Sequence, residues 1–314
     1  MFSSTPMKAA AVTMSLALLL GTTACNRGGD DAAAESQSVT LSVSTLNNPF
    51  FVELRDGAQE AADAAGVTLD VVDAQNDSAT QTNQLATAAT SGTDGVIINP
   101  VDSDAAAASV APLVSAETPI VAVDRAVNGA EVGSLVSSDN VAGGRQAADE
   151  LAAAMGEAGT VIVLQGVAGT SASRDRGAGF AEGLAAYPDI EIVAQQTANF
   201  DRAEALNVAT NLLQANAGVT GIFAENDEMA LGAIQALGAR AGADVSVVGF
   251  DGTADGLAAI EAGTMTATIA QQPAELGKRS LEVLVQLLND ETVEASIPVP
   301  VTTVTSENVA DFTE

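Results

Sequence analysis

The 314-residue chain has no histidine, no tryptophan, one cysteine and one tyrosine. With no His, and with Cys25 placed in what reads as an export segment, three chemistries drop out: His general-base catalysis, cysteine nucleophiles and His-containing metal sites. A lone cysteine also excludes an intramolecular disulfide. Basic charge is scarce as well. Lys8 and Lys278 are the only lysines, and the formal net charge is −30. Nothing basic is clustered enough to neutralise phosphates, so nucleic acid is not an expected partner. Gly166-Val-Ala-Gly-Thr-Ser171 lacks the lysine of a phosphate-binding loop, and no G-x-G-x-x-G fingerprint follows the first strand. No cofactor and no metal is implied.

What is present is an apolar, alanine-rich chain, 47% hydrophobic with 28 glycines, long enough for two domains. Residues 1–24 read as a signal peptide. Lys8 gives a basic start, Ala9 to Leu20 is an apolar run too short to span a membrane stably, and small residues close it. A cysteine at that point, Cys25, resembles a bacterial lipobox, which implies cleavage before it and a lipid on its sulfur and amino group. Thr22 departs from the usual Leu of that box, and an ordinary signal peptide with an incidental cysteine is the alternative. Residues 25–37 then read as a lipidated Cys and flexible tether.

From Val39 onward short β-branched runs alternate with helical patterns. Strands are expected at Val39–Thr45, Val67–Asp73, Gly95–Asn99, Pro119–Asp124 and Glu131–Ser137, then at Thr160–Gln165, Glu191–Thr197, Gly221–Ala224, Val245–Phe250 and Met265–Ala270. A final strand-like run covers Val299–Thr305. Repeated βα units give parallel sheets covered by helices on both faces. Two sheets are expected in preference to one of ten or more strands.

Loops at the carboxyl ends of parallel strands are where open α/β sheets bind ligands. The first such end, Ser44-Thr-Leu-Asn-Asn-Pro-Phe-Phe51, reads as a loop carrying Asn48 and two rings, Phe50 and Phe51. The other ends carry Asn99, Asp124 with Arg125, Asn226 with Asp227, Phe250 with Asp251, and Gln271. Each Asp or Asn taken singly reads as a helix cap, and Asp139 and Asp227 are expected to be caps. Taken together, carboxylates, amides and guanidinium groups converge on one edge. The few rings gather there too: Phe50, Phe51, Phe250, and Phe200 in the loop Thr197–Asp201. Phe180 and Phe223 read as core. Apolar ring faces beside amides and carboxylates suit a sugar, with its C–H faces and hydroxyl rim. Asp124 with Asp251 is also the raw material of a glycosidase pair. Neighbouring arginines are expected to keep both ionised, which disfavours that use.

These residues resemble a known family. Ser44–Phe51, Ile98-Asn-Pro-Val-Asp-Ser-Asp104, Asp124-Arg125, Gln165–Ser171, Asn226-Asp-Glu-Met-Ala-Leu-Gly232, Val247-Val-Gly-Phe-Asp-Gly252 and Thr268-Ile-Ala-Gln271 are similar to the bacterial D-ribose-binding proteins of ABC importers. The similarity runs from Val39 to about Thr305. It implies an α/β fold of the type I periplasmic-binding-protein kind, with two doubly wound parallel-sheet lobes joined by a three-crossing hinge. The implied lobes are 38–138 plus 272–300 and 139–271 plus 301–314. In that family the sugar ring lies between phenylalanines, here Phe50, Phe51 and Phe200, with Phe250 beside it. The resemblance assigns the hydroxyls to Asn48, Asn99, Asp124, Arg125, Arg176, Asn226, Asp251 and Gln271. One departure adjoins the site: Glu225 stands where the family often has Gln. The implied partners are D-ribose or a similar monosaccharide, an ABC permease, a chemoreceptor as a further candidate, and the membrane through Cys25. A monomer on the extracytoplasmic face is expected. The alternatives are a binder of another small polyol or furanosyl signal, a sugar-responsive regulator, and a carbohydrate enzyme.

Overall fold

The computed structural model describes residues 37–313. The expected signal peptide, Cys25 and all of the tether but its last residue lie outside the described residues. Two six-stranded sheets organise the described chain. The first is built from β1 (Ser38–Val43), β2 (Thr68–Asp73), β3 (Gly95–Ile98), β4 (Ile120–Val123) and β5 (Ser134–Ser138), with α1 (Pro49–Ala65), α2 (Ser78–Ser91) and α3 (Ala106–Ser115) between them. After α4 (Asn140–Ala154), the second sheet uses β6 (Ala158–Gln165), β7 (Asp189–Thr197), β8 (Gly221–Ala224), β9 (Ser246–Asp251) and β10 (Ala267–Ala270). Its helices are α5 (Ser171–Leu184), α6 (Arg202–Ala215), α7 (Asp227–Leu237) and α8 (Ala254–Glu261). The chain then returns through α9 (Pro273–Leu288) and β11 (Ser296–Val299) to the first sheet, and ends with β12 (Thr302–Thr305) in the second.

The strand orders are β11-β5-β4-β3-β1-β2 and β12-β10-β9-β8-β6-β7. In each sheet the strand that enters first, β1 or β6, sits between the next two, so the winding reverses beside it. Such a switch point opens a crevice at the carboxyl edge. Every pairing is parallel except β12 with β10. Strands β3, β4, β8 and β10 are buried at every residue, because helices cover both faces. Alternation along β1 sends Val39, Leu41 and Val43 into one core with α1 and α9. Val96 and Ile98 of β3 face a separate core under α2 and α3. The second sheet is likewise packed between α4 and α5 on one face and α6, α7 and α8 on the other.

Two expectations at element ends change. Phe50 and Phe51 are not in a loop: Pro49 opens α1, Asn48 caps it by accepting from Phe50 N at 2.9 Å, and both rings stand in its first turn. The run Val299–Thr305 is not one strand. It divides at Pro300-Val301 into the end of β11, parallel to β5, and β12, antiparallel to β10. Pro300 has no N–H to continue a ladder, and this two-residue step is where the chain changes sheets. The other changes of sheet fall at Asp139, after β5, and at Gln271-Gln272, after β10. The crossings touch: Asp139 N donates to Val299 O at 3.0 Å, and Gln272 Nε2 donates to Pro300 O at 2.9 Å.

Helices α1 and α9 pack unusually closely on the first sheet. A Cβ on Gly57 would overlap the Ala274 carbonyl, and one on Gly277 would overlap that of Leu54. Only glycine lets these two backbones meet.

Candidate functional site

The carboxyl ends of both sheets face each other across a small cavity. One wall is Asn48, Phe50, Phe51, Asp124 and Arg125, from the ends of β1 and β4. The other is Ala172, Arg176, Phe200, Asn226 and Asp251, from α5 and the ends of β7, β8 and β9. Gln271, at a crossing between sheets, completes the lining.

Backbone conformation aims several of these side chains. Asp124, Phe200 and Asp251 have φ of 64°, 59° and 119°, left-handed values that cost a non-glycine residue roughly 1–3 kcal/mol each. Two of the three are the site's carboxylates. The strain is held by well-anchored neighbours. Asn99 accepts from Ser44 N at 3.1 Å and donates to Asp124 Oδ2 at 3.0 Å. Gln271 Nε2 donates to Asp251 Oδ1 at 2.6 Å. Arg176 donates through Nε to Asn140 Oδ1 at 2.8 Å and through Nη1 to Glu225 O at 2.6 Å, and its Nη1 lies 3.5 Å from Asp251 Oδ1.

The rings and cations interleave. The Arg125 guanidinium lies 5.4 Å from the Phe51 ring centre and 5.5 Å from that of Phe200, so it spans the two walls. Arg176 lies 5.8 Å from Phe200 and 3.9 Å from Phe250. At these separations cation–π attraction holds each guanidinium plane.

Burial dominates the electrostatics. Asp124 is pushed above the usual carboxylate range by desolvation, against the pull of Arg125, Arg176 and the Asn99 amide. Asp251 is pushed well above that range by the same cause, with Arg176 opposing and Asp227 adding. Desolvation likewise lowers Arg125, against the opposing pull of Asp124. The expectation that neighbouring arginines keep both carboxyls ionised therefore underrates burial.

Three lining residues hold buried polar atoms with no protein hydrogen-bond partner: Asp124 Oδ1, Arg125 Nε and Gln271 Oε1. Leaving such groups unpaired costs about 1–3 kcal/mol each. A ligand that both donates and accepts, such as a polyol, is the complement of that set.

Of the twelve residues singled out as ligand-binding in the sequence, ten line the cavity. Asn99 and Phe250 do not. Asn99 is fully buried behind Asp124 and holds it. Phe250 faces α4, where a Cβ on Gly143 would stand 2.6 Å from its ring, and it supports Arg176 from behind. Side chains alternate along a strand, so Phe250 and Asp251 cannot share a face. Asp139 does cap α4, accepting from Ala142 N. Asp227 is not the cap of α7; Asn226 is, accepting from Met229 N at 2.9 Å. Asp227 is instead buried, accepting from Thr253 N, Thr253 Oγ1 and Thr268 Oγ1. Nothing in the sequence marks Ala172 or Asn140 as part of the site. Ala172 has no chemistry to betray it, and Asn140 directly follows Asp139, the expected helix cap.

Glu225 is buried behind the wall. Its Oε2 accepts from Gly166 N at 2.7 Å and from Ser173 Oγ, and Oε1 has no partner. Burial pushes its carboxyl up to about 7, against the hydrogen bonds of Ser173 and Gly166.

Among the described residues no cluster of His, Cys, Asp or Glu could hold a metal ion, and no helix is long and apolar enough to cross a membrane. Two α/β lobes enclosing a small cavity, lined by rings, amides and charged pairs from both sides, define a two-lobed solute-binding protein. The profile of the "periplasmic binding protein domain" family matches residues 39–292, and the chain belongs to that family. It is 45% identical over 293 residues to the ribose import binding protein RbsB of Salmonella typhimurium, covering 93% of this chain and 97% of that protein. It is 41% identical over 300 residues to the ribose import binding protein RbsB of Bacillus subtilis, again covering 93% and 97%. Among solved structures, the Caulobacter myo-inositol binding protein bound to myo-inositol is similar with a TM-score of 0.83 and 36% identity, over 88% of this chain and 95% of that one.

Proposed function

We propose that the protein captures D-ribose in the cleft between its lobes and delivers it to an ABC permease. The observation that carries this reading is the set of buried atoms without a hydrogen-bond partner, Asp124 Oδ1, Gln271 Oε1 and Arg125 Nε (which has only an ion pair with Asp124 Oδ2 at 3.5 Å), in a cavity flanked by Phe51 and Phe200. The relatives at 45% and 41% identity are ribose import binding proteins, which favours ribose over other pentoses.

In this reading Phe51 and Phe200 flank the ring, with Phe50 at its edge. Asn48, Asp124, Arg125, Arg176, Asn226, Asp251 and Gln271 meet the hydroxyls, while Asn99 and Phe250 hold Asp124 and Arg176 from behind. Residues 38–138 plus 272–300 and 139–271 plus 301–314 move as lobes, and closure excludes water. At roughly 0.8–1.2 kcal/mol per heavy atom the affinity is micromolar to nanomolar. The relatives are solute-binding proteins, and no turnover is proposed for this chain. We place it on the extracytoplasmic face as a monomer, exported by residues 1–24 and anchored through a lipid on Cys25. A chemoreceptor is a second candidate partner for the closed form.

Titration calorimetry with D-ribose, arabinose, xylose, allose and galactose tests the assignment. Tight binding of ribose alone supports it. Tight binding of another sugar keeps the transport role and discards the pocket assignment. No heat with any of them removes the sugar reading.

A further inference from the structure

The lobes are joined a second time, away from the cavity lining. The loop before α3 carries Asp102, Ser103 and Asp104. Across the cleft, the loop before α5 and that helix's first turn carry Gly169, Ser171 and Arg174. Ser103 N donates to Gly169 O at 3.1 Å, and Ser171 N donates to Ser103 Oγ at 3.1 Å. Ala126 N, on the first lobe, donates to Ser171 Oγ at 2.8 Å. Outside this half-buried group Arg174 Nη1 donates to Asp104 Oδ1 at 3.2 Å and to Oδ2 at 3.1 Å, and Asn128 Nδ2 donates to Asp104 Oδ1 at 2.6 Å. The Asn128 amide, and then Arg174, hold the Asp104 carboxyl below the usual carboxylate range. Gly169 adopts φ 91°, and a Cβ there would stand 2.7 Å from Asp102 Oδ2. The close approach of the two loops needs that glycine.

None of these groups lines the cavity. The Asn128–Asp104 bond lies within the first lobe and orients the Asp104 carboxylate; the others pair one lobe with the other, so separation of the lobes must break them. Ser171 also lies immediately before Ala172 and a little over one helical turn before Arg176, the residues through which α5 reaches the cavity. We propose that Ser103, Ser171, Asp104 and Arg174 form a ligand-independent clasp that holds the lobes together and positions Ala172 and Arg176 over the cavity. They are positioning residues, and their effect falls on how long the cleft stays shut. The inference rests on the reading of the cleft as one that closes around a solute.

The sequence has no cysteine after Cys25, which makes the motion accessible. In the full chain carrying Cys25→Ser, Glu60→Cys on α1 and Gln214→Cys on α6 accept a donor and an acceptor dye, both sites being exposed. Single-molecule energy transfer without sugar is expected to show two distances, the minor one matching the sugar-saturated protein. Loss of the Ser171 and Arg174 side-chain bonds together, in Ser171→Ala with Arg174→Ala, is expected to lower the sugar-free closed fraction about fivefold. The rate of ribose release in stopped flow rises by the same factor, while the order of preference among sugars stays unchanged. Arg174→Glu, which sets like charges against Asp104, is expected to go further in the same direction. A closed fraction and release rate equal to those of the parent, with ribose still driving closure, overturn the clasp and leave the sugar reading standing. A sugar-free closed fraction that falls in the variants, in a protein that ignores ribose, supports the clasp and removes the sugar. One unchanging distance with and without sugar overturns both.

Discussion

Glu225→Gln is expected to make the protein more stable at pH 8 but not at pH 4.5. The Glu225 carboxyl is buried and is pushed from 4.5 up to about 7 by desolvation. Between those two values the folded protein holds a proton that the unfolded chain has released, so stability falls as pH rises through the window. Below the unfolded value both states are protonated, and the group contributes no pH-dependent difference. Above about 7 the full cost of keeping the anion buried is present, and a shift of 2.5 units corresponds to about 3 kcal/mol. Glutamine has the same shape and no proton to lose. Its amide occupies the place of Oε1, which has no hydrogen-bond partner, so the substitution carries a constant penalty of about 1–3 kcal/mol that pH does not alter. The informative quantity is therefore the difference between variant and parent at pH 8 minus the same difference at pH 4.5. Other titrating groups, including Asp227 with its own rise to about 6, are common to both proteins and cancel. In scanning calorimetry the double difference is expected to be about 3 kcal/mol, or roughly 6–12 °C in Tm for a chain of this size. A variant whose offset from the parent is the same at every pH would refute the claim that Glu225 is a buried, proton-binding carboxyl.

Two other substitutions test the site and the scaffold. Arg176→Ala removes the groups that meet Asn140, the Glu225 carbonyl and Asp251, and leaves Asp251 buried without its nearest cation. Affinity for ribose in calorimetry is expected to fall by at least ~1.5 kcal/mol, about tenfold, and an unchanged value would remove Arg176 from the binding set. Gly277→Val drives a side chain into the Leu54 carbonyl, a backbone atom of α1 that cannot swing aside. Overpacking of this kind costs about 3 kcal/mol or more in denaturant unfolding, and a loss below 1 kcal/mol would show that the α1–α9 contact gives way easily.

The architecture was legible because the apolar runs are pure. Gly95-Val-Ile-Ile98 and Gly221-Ile-Phe-Ala224 are buried at every position, the mark of strands covered on both faces. The residues around the cavity were legible because a parallel sheet ends all its strands at one edge, so the last polar residue of each is brought there. What strand ends do not reveal is depth. Asn99 and Asp124 read alike, yet one stands behind the other. Phe250 could have been placed by alternation, since Asp251 takes the cavity face and its neighbour must take the opposite one. The division at Pro300 also had a visible signal, a residue with no N–H in the middle of an apparent strand. Asp227 had none. Its burial depends on Gly249 and Gly256 leaving room and on threonines from two other segments supplying hydrogen bonds.

The meeting of α1 with α9 also bears on the order in which the chain can fold during synthesis. The face of α1 that carries Leu54, Gly57 and Ala58 is covered by residues around Ala274 to Leu284, over two hundred positions later. The outer strand β11, which pairs Ser296 with Leu135, arrives later still. A ribosome releases the amino end first. The first lobe therefore waits, its apolar surface bare, until the whole second sheet up to β10 has been made. Contacts so distant in sequence close slowly. The half of the protein made first is thus completed only after nearly all of the other half has been made, and a chain that stops near Gln271 has neither lobe whole.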